Sequence, residues 1–282
     1  MKAKLFVLAS LVVLALFATG CEKLKARDRL NKGVAAFKQA KYSDAVEHFK
    51  TAVELDPSFP TARLYLATAY MSQYIPGAES PENVQNAKMA NDQFLKVLEQ
   101  DPKNAIAVES LASLHYSEAQ GTQAIEDKIK KLDEARVWYE KLGELDPNKK
   151  EAWYSLGVIT WAKWYPALMT ARAKLGMKPE DPGPIKDKKV KERLKAEFGP
   201  VIDGGLQALD KALQIDPEYD DAMAYENLLI RERADLDDTP EEYKKDIQIA
   251  DDWVQKALAT KKAKAEKKAA AGAGGIVAEP SK

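Results

Sequence analysis

Residues Gly33 to Pro57 read GVAAFKQAKYSDAVEHFKTAVELDP. Apolar residues at Ala45, Phe49, Ala52 and Val53 recur every three or four positions, the period of one helix face. The pattern predicts two helices, over 26–39 and 42–55, closed by Asp56-Pro57. Proline cannot continue a helix interior but fits a turn or a first helical position, so it marks where one helix gives way to the next.

Outward from this stretch, Asp-Pro returns as Asp101-Pro102, Asp146-Pro147 and Asp216-Pro217, at intervals of 45, 45 and 70 residues. Counting back from each proline aligns Ala90, Phe94 and Val97, then Ala135, Tyr139 and Leu142, then Gly205, Leu209 and Ala212. Ala250, Val254 and Ala257 make a fifth set without proline. Small residues hold the matching place in the preceding helices (Gly33, Ala67, Ala112, Gly157), with Asn227 the outlier. Small residues permit close helix approach, the aromatic fills space between hairpins, and Leu66, Leu111 and Leu156 continue the stripe.

This register resembles the tetratricopeptide repeat, whose unit of about 34 residues is a helix A–helix B hairpin. The resemblance implies an all-α, right-handed α-solenoid of about five hairpins over residues 26–260. The surplus over 34 places insertions between helices A and B of units 2–4, near 74–82, 117–127 and 165–200. The first is expected to be a turn-rich loop. The third carries Pro166, Pro179, Pro182, Pro184 and Pro200, with Val190, Leu194 and Phe198 at i, i+4 and i+8 on a basic helix. That segment either folds over the concave groove, reaches a partner or lipid headgroups, or docks as a helix on its own solenoid. Residues 261–282, rich in Lys and Ala without an apolar stripe, are expected to be a disordered tail whose start extends the last helix.

The first residues obey other rules. Lys2 and Lys4 precede an apolar run from Leu5 to Phe17, followed by Ala18-Thr19-Gly20-Cys21. A charged start, a run too short to span a bilayer and small residues at the boundary read as a secretory signal over 1–20. Cys21 is the one cysteine of the chain, so no internal disulfide is possible. The junction resembles the bacterial lipobox, with Ala18 where leucine is usual. The resemblance implies acylation of Cys21, a linker over 21–25 and a membrane anchor, since two or more acyl chains hold stably. Glu22 after the cysteine favours an outer-membrane location facing the periplasm, by analogy with envelope sorting.

Net charge is −1, from 43 Lys and Arg against 44 Asp and Glu, so no global field marks a nucleic-acid binder. His48 and His115 stand in no metal-ligand spacing with a second His or a Cys, and neither an activated-serine elbow nor a phosphate loop occurs. The reading is non-catalytic, without metal or cofactor. What remains is surface. In the repeat family helix A lines the concave groove, which here nominates Phe37, Tyr65, Met71, Tyr116, Tyr154, Trp161, Tyr225 and Arg231. Rigid aromatic residues of this kind dominate binding hot spots. The family's carboxylate clamp finds no match at Leu30, Val34, Tyr65, Ile106 and Ser110. The expectation is a membrane-tethered scaffold for protein or peptide partners in the cell envelope. The alternative is a transporter-associated lipoprotein holding a small molecule around Trp161, under the third insertion.

Overall fold

The computed structural model describes residues 21–273, with the side chains of 271–273 excepted. The expected signal segment 1–20 and the end of the expected tail, 274–282, lie outside them. Among the described residues there are helices and turns and no strand. Helix α1 covers 21–38. It is followed by α2 (Tyr42–Leu55), α3 (Pro60–Met71), α4 (Pro81–Gln100), α5 (Ala105–Gly121) and α6 (Ile125–Leu145). Then come α7 (Lys150–Lys174), α8 (Lys188–Ile215), α9 (Asp220–Arg233), a 3₁₀ turn (Ala234–Leu236) and α10 (Pro240–Ala273). The chain forms two compact units, one ending at Trp138 inside α6 and one beginning at Tyr139.

The Asp-Pro pairs close their helices in one way. Asp56, Asp101, Asp146 and Asp216 each accept at the main-chain carbonyl from the N–H three residues on, at 3.0–3.1 Å. Each also accepts at Oδ1 from the N–H two residues on, at 3.1, 3.3, 3.1 and 2.9 Å. Aspartate is there because its short carboxylate satisfies donors that the proline-broken helix leaves bare.

In the first unit α2 packs on α3, α3 on α4 and α4 on α5. Ala45, Phe49, Ala52, Ala90, Phe94 and Val97 are wholly buried. A Cβ on Gly33 would stand 2.4 Å from Phe49 Cε1, which explains the small residue there. The 72–80 connection is pinned by hydrogen bonds to the start of α4. The side chain of buried Asn83 accepts from Ile75 N–H at 2.7 Å and donates to the carbonyls of Ile75 and Ala78, both at 2.8 Å.

In the second unit α7 packs on α8, α8 on α9 and α9 on α10 around Trp164, Leu168, Ile202, Leu209, Met223 and Leu229. A Cβ on Gly157 would lie 2.4 Å from Leu209 Cγ, and one on Gly205 2.6 Å from Thr160 Cβ.

Two boundaries differ from the sequence expectation, those of the third insertion and of the first residues. The 165–200 insertion is mostly helix: α7 runs through Pro166 to Lys174, and α8 begins at Lys188 and runs through Pro200. An interior proline costs about 3 kcal/mol. Burial of Trp164, Leu168 and Ala171 around the first, and of Leu194 and Ile202 around the second, offsets that. The basic helix docks on its own unit, with Leu194 buried, Val190 packed on the core and Phe198 5.3 Å from the Trp164 ring. Residues 261–273 continue α10, the extension of the last helix into the start of the tail. Lys264 pairs with Asp220 at 2.6 Å and Lys267 with Glu218 at 3.1 Å, so charge takes the place of the missing apolar stripe. The expected linker 21–25 is helical, with Cys21 exposed and unpaired and Ala26 buried. No helix among the described residues is long and apolar enough to cross a membrane.

Candidate functional site

In the first unit the expected groove residues pack singly. Phe37 meets Tyr42 edge-on at 5.2 Å, and Tyr65 stacks on Phe49 at 5.4 Å, both against the local core. Met71 and Tyr116 are half-buried on α3 and α5. Burial raises the Tyr116 hydroxyl above its ordinary range, against a lowering hydrogen bond with Gln120.

The second unit does assemble its expected aromatics. Tyr154, Trp161 and Tyr165 occupy one face of α7, at i, i+7 and i+11. Tyr219 and Tyr225 come from the start of α9 and its second turn. Ring contacts run in series: Tyr219 to Tyr154 at 5.1 Å, Tyr154 to Tyr225 at 5.6 Å, Tyr225 to Trp161 at 5.8 Å, Trp161 to Tyr165 at 5.1 Å. The last pair is nearly parallel and the two contacts of Tyr225 are edge-on, the geometries that ring quadrupoles favour. All five rings are half-buried. At one end Lys150 Nζ lies 4.7 Å from the Tyr219 ring centre while paired with Asp216. Burial, reinforced by Glu151 and the aspartates of α9's first turn, pushes the Tyr219 hydroxyl up to about 12.

At the other end lies a partly open cavity of about 400 Å³. Tyr165, Met169 and Arg172 of α7, residues 179–182 of the third insertion, Glu232 and Asp235, and Tyr243 of α10 form its walls. Arg172 joins insertion to repeat: it is ion-paired with Asp235 and donates to the carbonyls of Lys178 and Asp181, while Ile185 N–H donates to the Asp235 carbonyl at 2.9 Å. Burial lifts the Asp235 carboxyl despite that partner. Arg231, nominated for the groove, instead spans to Asp251 on α10 and to Asn227. Glu232 was not nominated. Its Oε1 accepts from Trp161 Nε1 at 3.0 Å, and burial holds its carboxyl up at about 7. Glu226, 3% exposed, was not nominated either. It lines a second cavity with Asp203, Asp210, Arg233 and Trp253, and burial lifts its carboxyl to about 8. The repeat register held one signal for the missed Tyr219, which stands three residues after Asp216 as Phe59 does after Asp56. Nothing local marks Glu232 or Glu226, since carboxylates on a polar helix read as solvated.

One grouping in the first unit bears on metals. His115 Nδ1 lies 3.1 Å from Glu118 Oε2 and 3.0 Å from Glu134 Oε2, and the three ligand atoms fall within 4.8 Å of one another. Lys131 Nζ is 3.0 Å from each of those two oxygens, so the chain's own ammonium already bridges them. Burial alone would raise Glu118, but its hydrogen bonds with His115 and Lys131 bring it below the ordinary range.

The family model of the TPR repeat matches residues 33–73. Among solved structures, MamA residues 41 to the end from Desulfovibrio magneticus RS-1 is similar at 15% identity over 85% of this chain and 96% of that one, with a TM-score of 0.52. Another MamA crystal structure is similar at 15% identity over 91% and 98%, with a TM-score of 0.50. The first TPR of Spaghetti (RPAP3), bound to an HSP90 peptide, is 24% identical over 50% and 96%; its TM-score of 0.38 carries no argument. Comparison with curated proteins yields no match. At these identities the structures speak for fold alone, and with the repeat at 33–73 they show that the chain is an all-α helical solenoid of the tetratricopeptide-repeat type.

Proposed function

We propose that this chain is a non-catalytic scaffold that holds a protein or peptide segment against the ring series of its second unit, and is tethered to an envelope membrane through acylated Cys21. The ring series Tyr219–Tyr154–Tyr225–Trp161–Tyr165 carries the reading. Five half-buried aromatic side chains in contact offer rigid area at low entropic cost. The rings sit on α7 and α9, the first helices of their hairpins, which in helical repeats supply the binding surface. The matched family model describes a repeat rather than a catalytic family. A photo-crosslinking residue beside Tyr225 in the full-length protein, used in intact envelopes, should capture a discrete partner. Tyr154→Ala with Trp161→Ala should abolish that capture; an unchanged set of adducts sinks the groove reading. For the tether, mass spectrometry of the mature N-terminal peptide should find diacylglycerol on Cys21. Cys21→Ser should shift the protein to the soluble fraction. The outer membrane facing the periplasm is the proposed location, on the strength of Glu22.

A second reading, a small-molecule-binding lipoprotein working beside a transporter, is favoured by one observation. The cavity next to Trp161 and Tyr165 has residues 179–182 of the insertion as a wall. Native mass spectrometry of the purified full chain should show a retained mass under that reading and none under the first.

A further inference from the structure

Of the walls of the 400 Å³ cavity, two buried side-chain atoms have no hydrogen-bonding partner: Glu232 Oε2 and Arg172 Nε. Their situations differ. The Arg172 guanidinium is already neutralised by Asp235 and donates to two carbonyls of the insertion. Among the described residues Glu232 has no cationic partner, and the one donor it receives there is the neutral indole N–H of Trp161. Its sequence neighbour Arg231, the obvious counter-ion, is directed to Asp251 and Asn227. Leaving a buried carboxylate oxygen unpaired is costly unless something arrives to pair it.

The surroundings state what that something is. Glu180, Asp181, Glu232 and Asp235 face two guanidiniums, Arg172 and Arg231, each committed to a carboxylate of this chain. An anionic ligand would meet an uncompensated carboxylate. A cation would meet that carboxylate beside the Tyr165 ring, which stacks on Trp161, with the Tyr243 ring on another wall. Rings around a carboxylate suit an ammonium, whose three donors find the free oxygen while its charge lies on the π faces.

We propose that this cavity recognises a protonated amine, carried by a lysine side chain or by a free small molecule, with Glu232 as counter-ion and Tyr165 and Tyr243 as the aromatic walls. The site deepens the groove reading and rests on it, since it lies at the Tyr165 end of the ring series. Burial keeps Glu232 partly protonated near neutrality, and an arriving ammonium displaces that proton. Of the other groups facing the cavity, Asp235 raises the Glu232 carboxyl further, and Arg172, Arg231, Glu180, Asp181 and Tyr243 complete the set.

Isothermal titration of the full chain with three probes tests this: n-butylammonium, acetyl-Ala-Lys-Ala-amide, and the same peptide with acetylated lysine. The lysine peptide should bind roughly tenfold or more tightly than its acetylated form, because an unpaired buried charge is expensive. Affinity should rise between pH 6 and 8, where the amine stays protonated while Glu232 ionises. Glu232→Gln, which keeps an acceptor for the indole, should erase both differences. Binding of both butylammonium and lysine peptide supports the site with a small-molecule source. Binding of the lysine peptide alone supports it with a peptide source. Equal binding of the two peptides by the unaltered protein overturns the amine site without any variant, and leaves the groove reading to the capture experiment. Binding by none of the three probes also overturns it.

Discussion

Arg172 and Asp235, 63 residues apart and about 3–4% exposed, form a buried ion pair that joins the third insertion to the 3₁₀ turn after α9. The pair is closed on both sides: Arg172 reaches two carbonyls of the insertion, and the Asp235 carbonyl accepts from Ile185. Removing one partner strands the other charge. Arg172→Met should lower stability by about 3–5 kcal/mol, read by urea unfolding followed through tryptophan emission. Arg172→Met with Asp235→Leu should recover a large part of it. A double variant as damaged as the single one would show that the carbonyl contacts, not the pair, hold the loop.

Gly33 gives a sign test. Gly to Ala inside an unobstructed helix stabilises by about 1 kcal/mol. Here the added carbon would stand 2.4 Å from Phe49 Cε1, inside the close packing of α1 on α2. Gly33→Ala should therefore destabilise, by about 1–3 kcal/mol, and Phe49→Leu in the same chain should relieve it. A gain in unfolding midpoint for Gly33→Ala alone would contradict the packing.

The turn aspartates should each matter modestly. Asp101→Ala removes the Oδ1 acceptor for Lys103 N–H at 3.3 Å and the Oδ2 acceptor for the Asn104 side-chain amide at 3.1 Å, and should cost about 1 kcal/mol. Hydrogen exchange should quicken first at the end of α4 and the start of α5. Uniform quickening through the unit would mean that the turn acts through overall stability instead.

Buried Glu226 predicts the direction of a pH effect. Burial, with Asp210 adding and Arg233 opposing, places its folded pKa near 8, against about 4.3 in an unfolded chain. Between those values the folded form binds the proton more tightly, so stability falls as pH rises through that window. The loss should be on the order of 2–4 kcal/mol, and Glu226→Gln should remove its share. Unfolding midpoints at pH 5 and pH 9 measure this. The variant should match the unaltered protein at pH 5 and exceed it at pH 9; equal deficits at both would rule the carboxyl out as the cause.

The fold was legible because repetition amplifies weak local signals. One Ala or Leu says little, but Ala45, Ala90, Ala135 and Ala250 in register, each wholly buried, say that the same hairpin recurs. The prolines misled where burial outweighed local preference. Pro166 and Pro200 read as helix ends, yet both lie inside helices held by buried neighbours. The aromatic site was half legible. Tyr154, Trp161 and Tyr225 follow from helix register, whereas the pairing of Arg231 with Asp251 joins two helices and lies beyond any local pattern.

What the sequence determined by itself is what depends on near neighbours: helix periodicity, the Asp-Pro stops and their side-chain turns, and the small residues where helices touch. What only tertiary structure decided depends on distant residues meeting in a place with little water. That covers the docking of the basic helix on Trp164, the spending of Arg172 on Asp235, and the isolation of Glu232 beside Trp161 with one oxygen unpaired. A carboxylate's charge state follows from its desolvation and its neighbours, and neither can be read along the chain.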